Sequence, residues 1–289
     1  MIAWLGTGLL GANFTRKLLE RGETVHVWNR TAEKAQALQS DGAKAFPDAA
    51  GAVRGASQIH VTLKDDETVD AVLEPLAGVI DKNALIIDHT TTAPTPTGER
   101  IRRWAERGIT YVHASVFMGP AAARNAQGIM LLSGAPDVRA RVKPLLAPMT
   151  GTVLELGDDP ARASAFKLMG NMMLVFVITG LADVYRFADG LGISAPEAHA
   201  LFDTFKLTGA VDIRGKAMAN GDFTPQWELS MARKDVRLMR EEAQRHGVEL
   251  PALGEIDALF GRYENAGRGG EDVGVVASLE AVQAGAGRG

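Results

Sequence analysis

No cysteine occurs anywhere in the 289 residues, which excludes disulfide stapling and thiolate metal sites. The six histidines show no ligand spacing and no i, i+4 pair, so no metal site is expected. Acidic and basic side chains nearly balance, for a formal net charge of -4. Such a surface has no general attraction for nucleic acid or an anionic membrane, and neither is expected as a partner. The first residues lack the basic stretch, apolar core and small-residue cleavage site of a signal peptide, because a strand-like run begins at Ile2. A cytoplasmic location is therefore expected. Internal repeats are absent, and low complexity is confined to the Ala/Gly-rich stretch from 284 to 289, expected to fray.

What is present is enough apolar material for a substantial core, 46% hydrophobic in a chain longer than one typical domain. From residue 1 to about 157, short apolar runs alternate with amphipathic segments, as in a parallel sheet with helices on both faces. Strands are predicted at Ile2 to Leu5, Thr24 to Trp28, Ile59 to Leu63, Leu85 to Asp88, Thr110 to His113, Ile129 to Leu132 and Val153 to Leu156. After Asp158-Asp159-Pro160 the strand signal stops and the rest reads as helix. The expected architecture is thus an α/β Rossmann domain over 1–160 followed by an all-α domain over 161–289.

The first helix of the second half carries no charge from Leu168 to Ala182, and apolar side chains lie on every face. Fifteen uncharged residues fall short of the about 20 that a membrane span needs. A helix apolar all round must be covered by something. A small helical domain can hardly do so alone, so a second subunit is expected against it. The helix is predicted to end near Gly190 or Gly192, and Ser194-Ala195-Pro196-Glu197 reads as a capping box opening the next one.

Chemistry is clearest at the start. The run Ile2-Ala3-Trp4-Leu5 enters Gly6-Thr7-Gly8-Leu9-Leu10-Gly11 and then a helical pattern, the layout of a dinucleotide-binding turn. Gly6 permits the tight turn, Gly8 lets the backbone approach a pyrophosphate, and Gly11 lets the helix pack on the strand. The helix N-terminus then faces the phosphates with free N–H groups. At the end of the second strand, where an NAD-binding chain places a carboxylate for the ribose 2'-hydroxyl, stands Asn29-Arg30-Thr31. A guanidinium pairs with a 2'-phosphate that a carboxylate would repel, so NADP(H) is expected.

Lys167 and Asn171 stand four residues apart at the start of the apolar helix and share a face. A lysine beside an uncharged run is costly to bury without a partner or a task. As an ammonium it can donate a proton to a carbonyl oxygen, and as an amine accept one from a hydroxyl. Asp88-His89-Thr90-Thr91-Thr92 follows a strand, where ligand-contacting loops emerge, with His89 reading as a solvated loop residue. Lys234-Asp235 lies on a later helix, where a surface ion pair is the plainer reading.

Together these stretches resemble the β-hydroxyacid dehydrogenase family over nearly the whole chain. The likeness runs through Gly6 to Gly11, Asn29-Arg30-Thr31 with Lys34, Asp88 to Pro94, the Gly128 to Gly134 strand, Lys167-Leu168-Met169-Gly170-Asn171 and Lys234-Asp235. It implies that the long helix joins the two domains and builds a homodimer interface. It makes Lys167 the catalytic acid/base and Asn171 its companion on the substrate side. Thr91 and Lys234 would contact the cofactor near the nicotinamide, Leu63-Lys64 would line its ribose, and Asp235 would lie toward the substrate. After the sixth strand the family usually has Asp-Ala-Pro-Val-Ser-Gly-Gly, whose serine and amides bind the substrate carboxylate. The stretch here is His113-Ala114-Ser115-Val116-Phe117-Met118-Gly119-Pro120, with Ser115 to Gly119 as candidate substrate contacts. Phe117 and Met118 put apolar bulk where an anion is expected.

The implied activity is NADP-dependent hydride transfer between the nicotinamide and a small carbonyl or hydroxy compound, in a cleft between the domains. The chain is also similar to imine reductases at Trp28-Asn29-Arg30 and in the Val116 to Pro120 loop, which makes an imine substrate the alternative. Those enzymes commonly lack the lysine kept here as Lys167. A third possibility, a catalytically silent NADP-binding protein, is opposed by the retention of Lys167 and Asn171.

Overall fold

Alternate side chains of the first strand enter two different cores. Ile2 and Trp4 join one apolar cluster, Ala3 and Leu5 the other, so this strand is buried on both faces, as the central strand of a parallel sheet must be. A computed structural model describes residues 1–278; the tail expected to fray, 284 to 289, lies outside them. Six strands, β1 (Ile2–Leu5), β2 (Val25–Trp28), β3 (Lys44–Ala45), β4 (Gln58–Val61), β5 (Leu85–Asp88) and β6 (Thr110–His113), form one sheet in the order β3-β2-β1-β4-β5-β6. All its pairings are parallel. This is the doubly wound Rossmann order, and its direction reverses between β1 and β4.

The register is level along the carboxyl edge. Leu5 pairs with both Trp28 and Val61, Val61 with Asp88, and Asp88 with His113. The turn after β1 and the loops after β2, β4 and β5 therefore emerge together. A smaller sheet follows, in which β7 (Val116–Phe117) runs antiparallel to β8 (Ile129–Leu132), which pairs in parallel with β9 (Thr152–Glu155). The helices are α1 (Leu9–Glu20), α2 (Ala32–Gln36), α3 (Ala49–Val53), α4 (Asp66–Leu73), α5 (Pro94–Glu106), α6 (Pro120–Arg124), α7 (Pro136–Leu146) and α8 (Arg162–Gly190), then α9 (Ala195–Thr204), α10 (Gly215–Ala219), α11 (Leu229–Arg245) and α12 (Pro251–Tyr263).

Packing divides the chain into a unit of Met1–Met172 and a second from Met173 onward. The first turns of α8 belong to the first unit because buried serines fasten them there. Ser115 Oγ donates to Ala163 O at 3.2 Å, Ser133 Oγ donates to Pro160 O and accepts from Ala163 N, and Ser164 Oγ donates to Thr92 O. In the second unit Leu229, Tyr263 and Val275 form a small core. Asp272 ties it together, accepting from the Arg214 guanidinium and the backbone N–H groups of Gln226, Trp227 and Gly274. The predicted capping box is present, with Glu197 accepting from Ser194 N and Oγ, and Gly192 takes the left-handed conformation, φ 73°.

Helix α8 is longer than its uncharged run, 29 residues with an 18-residue window of mean hydropathy 1.7. By length and composition alone it is apolar enough to cross a membrane, so the fifteen-residue count understates it. Many of its apolar side chains are bare, with Phe176 63% and Ile178 66% exposed.

Candidate functional site

Three glycines shape the turn after β1, and each does what its position asks. Gly6 has φ 97°, and a Cβ on it would stand 2.1 Å from Thr62 O. At Gly11 a Cβ would lie 2.0 Å from Gly6 O and 2.7 Å from Trp4 Nε1, so only glycine lets α1 sit this close to β1. Gly8 faces open space, and no side chain caps the start of α1. A pyrophosphate fits here, because the free N–H groups of the helix end have room to meet it.

The turn borders a cavity of about 650 Å³ whose lining includes Arg30, Thr31, Lys34, Leu63 and Lys64. Arg30, Thr31, Lys34 and Lys64 are exposed. Asp65, also on the cavity wall, is committed to capping α4: the Thr68 hydroxyl and N–H bring its carboxyl down to about 2. Asn29 braces the turn, accepting from Thr7 N at 3.0 Å and donating from Nδ2 to Thr31 O at 3.0 Å. The Leu63 N–H donates to Thr90 Oγ1, Thr90 N–H to Asp88 Oδ1, and the Tyr111 hydroxyl to Asp88 Oδ2 at 2.6 Å. Tyr111 and Asp88 thereby fix the Leu63 loop from beneath. A second brace, the buried Arg100 guanidinium, grips Asp70 and Asp66, and Asp66 accepts from Ala93 N.

Lys167 lies one turn beyond Ser164, whose bond to Thr92 O brings α8 against the loop after β5. Its Nζ donates to Asn171 Oδ1 at 3.0 Å and stands 4.4 Å from the centroid of the Phe117 ring. Burial pulls its amine below the usual lysine value. That pairs an ammonium with a neutral amide on the first unit, and Thr91, in the loop to which Ser164 is bonded through Thr92, is exposed.

The residues read from the sequence meet different fates. Gly6, Gly8, Asn29, Arg30, Thr31, Lys34, Leu63 and Lys64 gather around one cavity. Thr7, Leu9, Leu10 and Gly11 form the turn and the first turn of α1, with Thr7 buried and Leu9 exposed. Ser115 differs from expectation: fully buried, it spends its hydroxyl on Ala163 O, and Val116 is buried beside it, which leaves Phe117, Met118 and Gly119 as the accessible part of that loop. His89 is not solvated. It is buried, with Nδ1 donating to Ala114 O and Nε2 bonded to His60. Lys234 and Asp235, in the second unit on α11, pair with each other at 2.8 Å. Sequence reasoning missed the Asn29 brace, the Asp88–Tyr111 support and the Phe117–Lys167 stack. Gly170, one of two glycines inside the uncharged run of the apolar helix, was the available signal for the last.

This sheet order, with a glycine-cradled cavity at the reversal point and a helical unit following, is that of a nicotinamide-dependent oxidoreductase. A profile of the NAD binding domain of 6-phosphogluconate dehydrogenase matches residues 1–157, and one described as NAD-binding of NADP-dependent 3-hydroxyisobutyrate dehydrogenase matches 161–279. The chain belongs to the β-hydroxyacid dehydrogenase family. It is 25% identical over 254 residues to an uncharacterized oxidoreductase of Bacillus subtilis, covering 86% of this chain and 89% of that one. It is 26% identical over 288 residues to a probable 3-hydroxyisobutyrate dehydrogenase-like protein of Arabidopsis thaliana, covering 98% and 85%. The structure of an imine reductase from Myxococcus stipitatus in complex with NADP+ shares the fold, with a TM-score of 0.90 over 96% of this chain and 98% of that one at 19% identity.

Proposed function

We propose that the protein is an NADPH-dependent reductase of small carbonyl compounds, or the reverse dehydrogenase, with Lys167 as the proton donor. One observation carries this reading: a half-buried ammonium held by a neutral amide, Lys167 Nζ to Asn171 Oδ1, at the edge of the loop after β5. The bound nicotinamide supplies the hydride. Lys167 gives the proton to the carbonyl oxygen, and Asn171 orients Nζ through its own oxygen while its NH2, which bonds to no other of the described residues, can hold the substrate. Lowering the lysine from its ordinary value eases that transfer near neutral pH. The preference for NADPH is supported by the exposed Arg30, Lys34 and Lys64 on the cavity wall and by a neutral Asn29 where a carboxylate would repel a 2'-phosphate.

Phe117 and Met118 favour substrates with little or no negative charge at this end, and this favours cyclic imines as the second reading. NADPH consumption measured on semialdehydes, 2-ketoacids and cyclic imines separates the classes. Lys167→Ala is expected to lower turnover of the accepted substrate by roughly 100-fold; unchanged turnover with intact NADPH binding removes Lys167 from the mechanism. The bare apolar face of α8 supports a homodimer built on that helix.

A further inference from the structure

We infer that Phe117 is a positioning residue for Lys167: its ring face, admitted by the missing side chain at Gly170, holds the lysine as the proton-donating ammonium. The inference rests on the donor role proposed above for that lysine. Nζ stands 4.4 Å from the ring centroid, well inside the range of a cation–π contact. A Cβ built on Gly170 would lie 2.2 Å from Phe117 Cζ and 2.6 Å from Cε1. The tip of the ring therefore fills the place a side chain on α8 would take, one turn from the lysine whose Nζ stands over it.

In the first unit, among the described residues, no carboxylate pairs with that charge. The one hydrogen bond from Nζ ends on a neutral acceptor, Asn171 Oδ1. The ionisable groups of the elements around the start of α8 are engaged elsewhere. Asp88 holds Tyr111 and Thr90, His89 holds Ala114 O and His60, and His113 holds Thr90 O, while Arg162 stacks on Phe166. Desolvation drives a half-buried ammonium toward the neutral amine. The negative face of an aromatic ring acts in the opposite direction, because it attracts the cation and not the amine. Phe117 thus opposes the desolvation that favours the neutral amine. A serine or glycine at this place in the loop has no such face to offer.

The test needs no substrate. Trace acetic anhydride acylates a lysine only as the free amine, so the pH dependence of Lys167 acetylation on the full chain, read by peptide mass spectrometry, gives its midpoint. Phe117→Leu keeps apolar bulk without the ring, and its midpoint is expected to fall by about half to one pH unit. Phe117→Tyr restores the wild-type midpoint. Gly170→Ala suits a helix better than glycine yet displaces the ring, so it lowers the midpoint too and serves if Phe117→Leu does not fold. Midpoints that stay put or rise in the folded variants overturn the inference, and Phe117 is then packing alone. If the midpoints fall but Lys167→Ala keeps full turnover, the ring contact stands and the donor role is what fails.

Discussion

At the end of β2 the Asn29 amide accepts from Thr7 N with its oxygen and donates to Thr31 O with its nitrogen. A carboxylate there would keep the first bond and turn the second into a repulsion between oxygens. It would also set a negative charge on the cavity wall beside Arg30 and Lys34. Asn29→Asp is therefore expected to lower the preference for NADPH over NADH by about tenfold, the equivalent of about 1.4 kcal/mol, read as the ratio of kcat/KM values. A ratio that does not move would mean that no 2'-phosphate rests at this end of the cavity. Two buried histidines set a second expectation at this scale. His89 Nδ1–H donates to Ala114 O at 2.6 Å, so its Nε2 must accept from His60 Nδ1–H at 2.9 Å. Both rings are neutral, stacked on Trp4 at 4.8 and 5.6 Å. Burial pushes His60 well below its usual value and His89 down to about 4. An unfolded histidine takes its proton near pH 6.5, so between about 6.5 and 4 the unfolded chain binds more protons than the folded one. Their contribution to stability is full above about 6.5 and is lost as the pH falls toward 4. Urea midpoints should drop steadily from pH 7 to 5, and His60→Phe should flatten the slope; a wild-type midpoint level across this window would show that the imidazoles are not dry.

The elements rest on close approaches that only certain residues allow. At Gly11 both atoms that a Cβ would strike are anchored, Gly6 O in the turn and Trp4 Nε1 through its bond to Thr62 Oγ1. Gly11→Ala therefore pries α1 from β1 and is expected to weaken NADPH binding by at least about tenfold, measured by fluorescence titration. Arg100 joins α5 to α4 and, through Asp66, to the loop before α5. Removing it leaves Asp66 without its cation and Asp70 with Arg103 alone, at 2.8 Å, both carboxylates keeping about a third of their exposure. Arg100→Ala should cost about 2–4 kcal/mol, toward the low side for a buried pair because of that exposure, and urea unfolding reads it. These elements were unequally legible in the sequence. The longer strands and the glycine turn show in apolar spacing and in glycines at special backbone angles, both local signals. β3 and β7 have two residues each, too few to alternate. The inward direction of Ser115 is set by its bond to Ala163, 48 positions away. The Phe117–Lys167 stack likewise joins residues far apart in the chain, and the glycine at 170 that admits it looks in the sequence like the one at 180, where a Cβ would meet nothing within 4 Å.

At the scale of the whole molecule, α8 carries an apolar face that calls for a cover. Monomeric soluble proteins rarely leave a large contiguous apolar patch bare, and this helix exposes Met172, Phe176 and Ile178 by more than half. Beside it the second unit holds an apolar cavity of about 490 Å³, lined in part by Phe176, Leu181, Phe187, Phe202 and Leu253. A second copy of the chain supplies an equivalent apolar face, and two copies related by a two-fold axis bury the same patch on each. Light scattering at micromolar concentration is expected to give twice the chain mass. Phe176→Glu with Ile178→Glu places two charges on the patch and should yield the monomer, at least partly unfolded at 37 °C, because the face then has neither cover nor complement. A wild-type chain that is monomeric and stable would rule out the homodimer. One that partitions into detergent instead would assign the apolar helix to a bilayer, which its length also permits.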